Sequence, residues 1–275
     1  MAEAQKIQKI PKIEIDDVAL KDPYRFLLNV VYRIPEISEK PVCLMFVGAP
    51  GTGKSHLMTT YCSSNARILS DTTAAGIEDI LDEFDADEGI KYVVVPDLVK
   101  VMCRKNSNSF TALMNIGLEE GFSNITTRYV KWKPKHEKAV NLGLITAITT
   151  DEYRSHQGAF IRNGFFSRTL LVDYDPDLEE TAIHVAKGQK KKGIVVVPNK
   201  TDSFEIEISD EAAGVIVSKG RSWAKRLGEA PLRRVNFIRR FAKVIALMNG
   251  SAVVHKGEVS EVMDLLEAVQ ARGLV

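Results

Sequence analysis

Residues 48–55 read Gly-Ala-Pro-Gly-Thr-Gly-Lys-Ser, which is the spacing G-x-x-x-x-G-K-S. Residue types in that order suit the capture of phosphate. The glycines let backbone N–H groups converge on anionic oxygens, and a helix starting at the end of the loop adds its partial positive charge. Lys54 would reach the β- and γ-phosphates, and the Ser55 hydroxyl would ligate Mg²⁺. Gly48, Ala49, Pro50, Gly51, Thr52, Gly53, Lys54, Ser55 and His56 form the expected cradle, with ATP and Mg²⁺ as its ligands. The flanks agree: residues 42–47 are an apolar run of strand length, and residues 56–62 continue as a helix.

A second group of residues points the same way. Lys91-Tyr-Val-Val-Val-Pro-Asp97 has the unbroken apolar character of a parallel strand buried on both faces. An aspartate at the carboxyl end of such a strand stands where ligands bind in open α/β sheets, so Asp97 would hold Mg²⁺ through water. Its other reading is a helix N-cap. Residues 142–150 form another buried strand, ending in the hydroxyls of Thr149 and Thr150, and residues 169–174 form the last strand of the core.

These residues need a scaffold, and the rest of the chain supplies one. Its 275 residues, 45% of them hydrophobic and 27% charged, suffice for a large α/β core and a smaller domain. A net charge of +1 selects no class of partner. No apolar run reaches the roughly 18 residues of a membrane span, and the polar start lacks the apolar core of a signal peptide. Cys43, Cys62 and Cys103 are widely spaced and odd in number, as buried thiols of a reducing compartment are. A cytoplasmic location without membrane contact is expected.

Taken in order, residues 1–22 are an N-terminal extension and residues 23–187 the α/β nucleotide-binding core. Residues 188–208 are a basic linker with a short ribbon (194–197 with 204–208), and 209–275 an all-α lid. Within the core, residues 23–34 carry a helical apolar face, 66–70 form a strand, 77–84 an acidic helix and 109–120 a helix closed by Gly121. Residues 125–132 alternate and are β-rich, and the lysine-rich run 133–138 reads as the basic tip of a hairpin. The lid helices span 210–227, 232–248 and 260–272.

This order of parts resembles the AAA+ ATPases over residues 24–273. The resemblance implies a P-loop NTPase core with a parallel sheet in the order 5-1-4-3-2 and a C-terminal helical lid. It also implies a ring (hexameric) or filament of identical subunits that hydrolyses ATP between neighbours. Within the superfamily the chain is most similar to the minichromosome-maintenance helicases. Residues 113–125 look like the segment that runs into their pre-sensor hairpin. Gly164-Phe-Phe-Ser-Arg168 with Thr-Leu-Leu-Val-Asp-Tyr-Asp-Pro-Asp177 looks like their S-R-F-D and D-x-P-D region, and residues 233–242 look like their lid helix. On these matches Thr149, or Thr150 one residue on, is the sensor-1 group. Arg168 is the arginine finger offered to a neighbour's γ-phosphate, with Arg162 as its rival, and Arg233 is sensor 2. An arginine at a γ-phosphate stabilises transition-state charge and couples hydrolysis to subunit contact. As ordinary surface groups, Arg168 would cap a helix or pair with an acid, and Arg233 would be one charge of the cluster Arg233, Arg234, Arg239 and Arg240.

One position departs from the family pattern: Leu98 follows Asp97, where most of these ATPases place a water-polarising glutamate. Glu119 and Glu120 are the nearest candidates in sequence, unless they are only a solvated helix end. Without a positioned base, binding survives and turnover falls 10²–10⁴-fold. Lys131, Trp132, Lys133 and Lys135 would grip nucleic acid, DNA above all, by charge and stacking, or else form a solvated loop. Two functions are therefore expected: a nucleic-acid motor driven by ATP, or a nucleotide-gated assembly switch or loader acting on a protein client.

Overall fold

Four largely apolar runs and one short edge strand build a parallel sheet: β1 (Cys43–Gly48), β2 (Ala66–Ile68, at one edge), β3 (Tyr92–Val95), β4 (Gly143–Thr149) and β5 (Thr169–Asp173). They lie in a computed structural model that describes residues 13, 21–85, 89–104, 107–126, 131–135, 138–176, 194–196 and 204–270. The basic run 188–193, His136 and most of the N-terminal extension are outside those residues. Across the sheet the order is β2-β3-β4-β1-β5, and every neighbouring pair is parallel. The interior strands β1, β3 and β4 are buried almost throughout, as strands covered on both faces must be, whereas Arg67 and Ile68 on the edge strand β2 are exposed.

A parallel sheet collects the carboxyl ends of its strands along one edge. Gly48, Pro96-Asp97, Thr149 and Asp173 therefore all come to that edge, although they are far apart in sequence. The ladder sets Gly48 opposite Thr149 on one side, and Val47 opposite Asp173 on the other. Tyr174 follows β5 and donates its backbone N–H to Val47 O at 2.7 Å. A Cβ on Gly48 would stand 2.4 Å from Tyr174 O, so only glycine lets the loop leave the sheet here.

Several local expectations shift. The helix after the glycine-rich loop spans only Lys54–Thr60, because the hydroxyls of Thr59 and Thr60 bond back to carbonyls of the preceding turn. Buried Tyr61 then opens a short strand, Tyr61–Ser63, paired in parallel with Ile194–Val196. The expected ribbon between 194–197 and 204–208 is thus replaced: Glu207–Ile208 pairs with Val253–Val254. The acidic helix starts earlier and divides into Ala74–Glu78 and Leu81–Phe84, because Thr73 Oγ1 accepts the Gly76 N–H at 3.1 Å and caps the first turn.

The hairpin turns earlier than its composition suggests. Ile125–Thr126 pairs antiparallel with Lys131–Trp132, setting Ile125 opposite Trp132. Lys133 and Lys135 therefore follow the second strand and are not at the tip. The physical reason is that Ile125 and Trp132 both pack against the core formed by residues such as Phe84, Val93, Phe110 and Phe122, which draws the two strands together.

By its internal contacts the chain forms two units. One is Lys40–Pro198 with Val269–Val275; the other is Met1–Glu39 with Asn199–Ala268. The helix Pro23–Arg33, assigned to the α/β core by the sequence reading, groups with the helical unit, where Leu27, Leu28, Val30 and Val31 are buried. Asp22 caps it through the N–H groups of Tyr24 and Arg25, ahead of Pro23 in the first turn. The helices Asp210–Leu227 and Pro231–Met248 lie close enough that a Cβ on Gly220 would be 2.5 Å from Val235 Cγ2.

Beside that crossing Arg234 is 2% exposed, with Nε 2.9 Å and Nη2 2.8 Å from Glu229 Oε2. Its guanidinium lies 5.0 Å from the Trp223 ring centroid and 5.5 Å from that of Phe237. Removing one partner of such a pair strands a buried charge, so Arg234→Ala should destabilise the helical unit by about 3–5 kcal/mol. Denaturant unfolding followed by Trp223 fluorescence measures this, and a loss under about 1 kcal/mol would mean the pair is dispensable.

Candidate phosphate-binding site

The loop between β1 and the helix Lys54–Thr60 closes on itself through Lys54. Gly51 and Gly53 hold φ of 78° and 89°, which L side chains rarely adopt, and this tightens the loop enough to bring its carbonyls together. Lys54 is buried, with Nζ 2.9 Å from Gly48 O, 2.5 Å from Ala49 O and 3.2 Å from Thr52 Oγ1. Thr52 Oγ1 donates to Ala49 O at 2.9 Å, fixing the acceptor that Lys54 uses. Burial pushes the Lys54 ammonium below its ordinary pKa, and the Glu152 carboxylate pulls it partly back up. Ala49, Pro50, Gly51, Ser55 and His56 are exposed around this buried cation.

Ser55 Oγ donates to Pro96 O at 2.9 Å, tying the loop's helix to the end of β3 beside Asp97. The two expected metal-binding residues are therefore brought together. Asp97 also caps the helix Leu98–Met102: Oδ1 accepts the Val99 N–H at 3.2 Å, and Oδ2 is 3.8 Å from Lys100 Nζ. A carboxylate has about four lone-pair positions, so the cap leaves acceptor capacity. Mg²⁺ takes one or two protein oxygens and keeps several waters beside substrate phosphates. One hydroxyl and one carboxylate at the sheet edge are a donor set of that kind. Among the described residues no group of three or more His, Cys, Asp or Glu side chains forms a metal cluster.

Thr149 ends β4 opposite Gly48 and caps the helix Thr150–Arg162. Its Oγ1 donates to Glu152 Oε2 at 2.5 Å and accepts the Glu152 N–H at 3.4 Å, which caps the first turn of the helix. Thr150 is the first residue of that helix. Glu152 is the residue the sequence reading missed. The pattern Thr-x-x-Glu directly after a buried strand was the available signal.

Arg168 and Glu120 stand as their surface readings have it, one paired with an acid and the other at an exposed helix end. Arg168 Nη2 lies 2.6 Å from Glu119 Oε2, and Nη1 donates to Gly164 O at 2.7 Å. Glu119, a candidate for the water-polarising acid, is thus ion-paired with Arg168, the candidate finger. Glu120, one residue past the helix Ser107–Glu119, is exposed, as is Arg162 in the last turn of its helix. Arg233 stands in the first turns of the helix Pro231–Met248, within the helical unit. Its cluster is largely neutralised: Arg234 pairs with Glu229, while Arg239 and Arg240 pair with Glu39.

At the ribbon, Lys131, Lys133 and Lys135 are exposed. Trp132 is half-buried with its indole N–H donated to Asp82 Oδ1 at 3.1 Å, and the Lys135 backbone N–H donates to Asp85 Oδ2 at 2.5 Å. The acidic segment thus anchors the basic one, and Trp132 is held to the domain surface. No helix of the described residues is long and apolar enough to cross a membrane.

Comparison with known proteins finds no family whose model matches this chain and no curated protein that matches it.

Proposed function

We propose that this chain is an ATPase of the AAA+ type, binding ATP·Mg²⁺ at the loop Gly48–Ser55. The observation that carries the reading is the enclosure of Lys54 Nζ by Gly48 O and Ala49 O, with Ser55 bonded to the residue before Asp97. A buried ammonium inside a glycine loop, next to a hydroxyl and a carboxylate, is what a triphosphate with its metal requires. The AAA+ assignment is supported by the sheet, whose strands counted in chain order run 5-1-4-3-2 from the β5 edge. In this reading Thr149 senses the nucleotide, Arg168 acts across a subunit interface of a ring or filament, and the exposed Lys131, Lys133 and Lys135 bear on nucleic acid.

A second reading, a nucleotide-gated switch or loader acting on protein, is favoured by Leu98, which is fully buried where a catalytic acid would stand. Hydrolysis measured with Mg²⁺, alone and with single-stranded DNA, RNA or protein clients, tests the pair. For the motor, replacing Lys131, Lys133 and Lys135 with alanine should weaken nucleic-acid binding for all sequences alike. It should also flatten log K against log salt by about 0.7 per lost contact. Unchanged affinity in that variant, at low salt with ATP present, would favour the loader.

A further inference from the structure

We infer that Glu152 is the carboxylate that accepts the proton of the attacking water, filling the role left open by Leu98. The inference rests on the phosphate-site reading above and goes beyond it by naming a catalytic base. Gly48, whose carbonyl accepts Lys54 Nζ at 2.9 Å, is the ladder partner of Thr149, and Thr149 Oγ1 holds Glu152 Oε2 at 2.5 Å. That hydrogen bond ties the carboxylate to the last residue of β4, the ladder partner of Gly48. The Ser55–Pro96 bond runs from the loop's helix to the end of β3, so the loop works on the side of β1 where β4 and β3 lie. Glu152 is on that side.

The other candidate carboxylates stand beside cations or lie elsewhere. Asp97 caps a helix beside Lys100, and Glu119 holds Arg168. Asp173 ends β5, on the opposite side of β1. Glu152 gives one acceptor position to Thr149 and one oxygen, Oε1, remains for water. In the step proposed, the water oxygen bonds to the γ-phosphorus while the bond to the β–γ bridging oxygen breaks. ADP leaves with that electron pair. Glu152 takes the water's proton and passes it to the released phosphate or to solvent. Water activation of this kind contributes 10²–10⁴-fold.

Glu152→Gln separates this role from the capping one, because the glutamine side-chain oxygen also accepts the Thr149 hydroxyl. The variant should bind ATP as the parent chain does, release it unhydrolysed after long incubation, and turn over about 10²–10⁴-fold more slowly. Turnover at the parental rate with normal binding would overturn the inference and leave the site reading intact. Loss of ATP affinity in proportion to turnover would assign Glu152 to holding Lys54 and overturn it as well. Failure of the unsubstituted chain to bind ATP would remove the site reading, and this inference with it.

Discussion

Lys54→Ala should lose ATP binding in a protein that still folds. The side chain is the only cation inside the loop among the described residues, and its three acceptors, Gly48 O, Ala49 O and Thr52 Oγ1, all belong to the loop itself. Those contacts hold the ammonium at the centre of the loop, where a phosphate would meet it without first ordering a flexible chain. Truncating one partner of a buried, hydrogen-bonded charge pair costs about 2–5 kcal/mol. That corresponds to roughly 30- to 4,000-fold in Kd. The fold survives because the loop's shape rests on the positive φ of Gly51 and Gly53 and on the Thr52–Ala49 hydrogen bond. Titration calorimetry with ATP·Mg²⁺, with circular dichroism as the folding control, measures the effect. Undiminished ATP binding by a folded Lys54→Ala chain would overturn the site assignment. Arginine should not rescue it, because a planar fork cannot replace a point charge in so small an enclosure.

Arg168→Ala should retain ATP binding and lose hydrolysis by about 10³–10⁵-fold, the usual worth of an arginine supplied to a γ-phosphate. Within its own subunit Arg168 pairs with Glu119 at 2.6 Å, and the two side chains are 21% and 37% exposed. A pair that open is worth about 1 kcal/mol or less, so a neighbour's triphosphate can compete for the guanidinium. Subunits carrying Arg168→Ala have an intact pocket, and subunits carrying Lys54→Ala have an intact finger. Mixing them should restore part of the activity wherever a sound pocket faces a sound finger. A mixture that co-assembles and stays as inactive as either parent rules out action in trans. If Arg168→Ala is active and Arg162→Ala is not, the exposed Arg162 is the finger.

Much of the site was legible in the chain because its signals are local. The glycine spacing and Lys-Ser pair of residues 48–55 report a backbone conformation that few other sequences adopt, and the apolar runs before Asp97 and Thr149 report burial on both faces. The helices Asp210–Leu227 and Pro231–Met248 announce themselves through Ser209, Gly228 and Pro231, whose capping chemistry acts within one turn.

What the sequence could not decide is which distant groups meet. Ile194–Val196 pairs with Tyr61–Ser63, far from it in the chain. The hairpin turns before Lys131 because Ile125 and Trp132 share a core face. Arg168 and Glu119 each read as separate catalytic candidates until folding set them 2.6 Å apart. Glu152 gains its place only because parallel pairing of β1 and β4 brings Thr149, its hydrogen-bond partner, opposite Gly48. The sequence by itself determined the glycine-rich loop and the strands that carry it, because those depend on local conformation and burial. Only the tertiary structure decided which charges face that loop, because hydrogen bonds and ion pairs form between groups that sheet order, not chain order, makes neighbours.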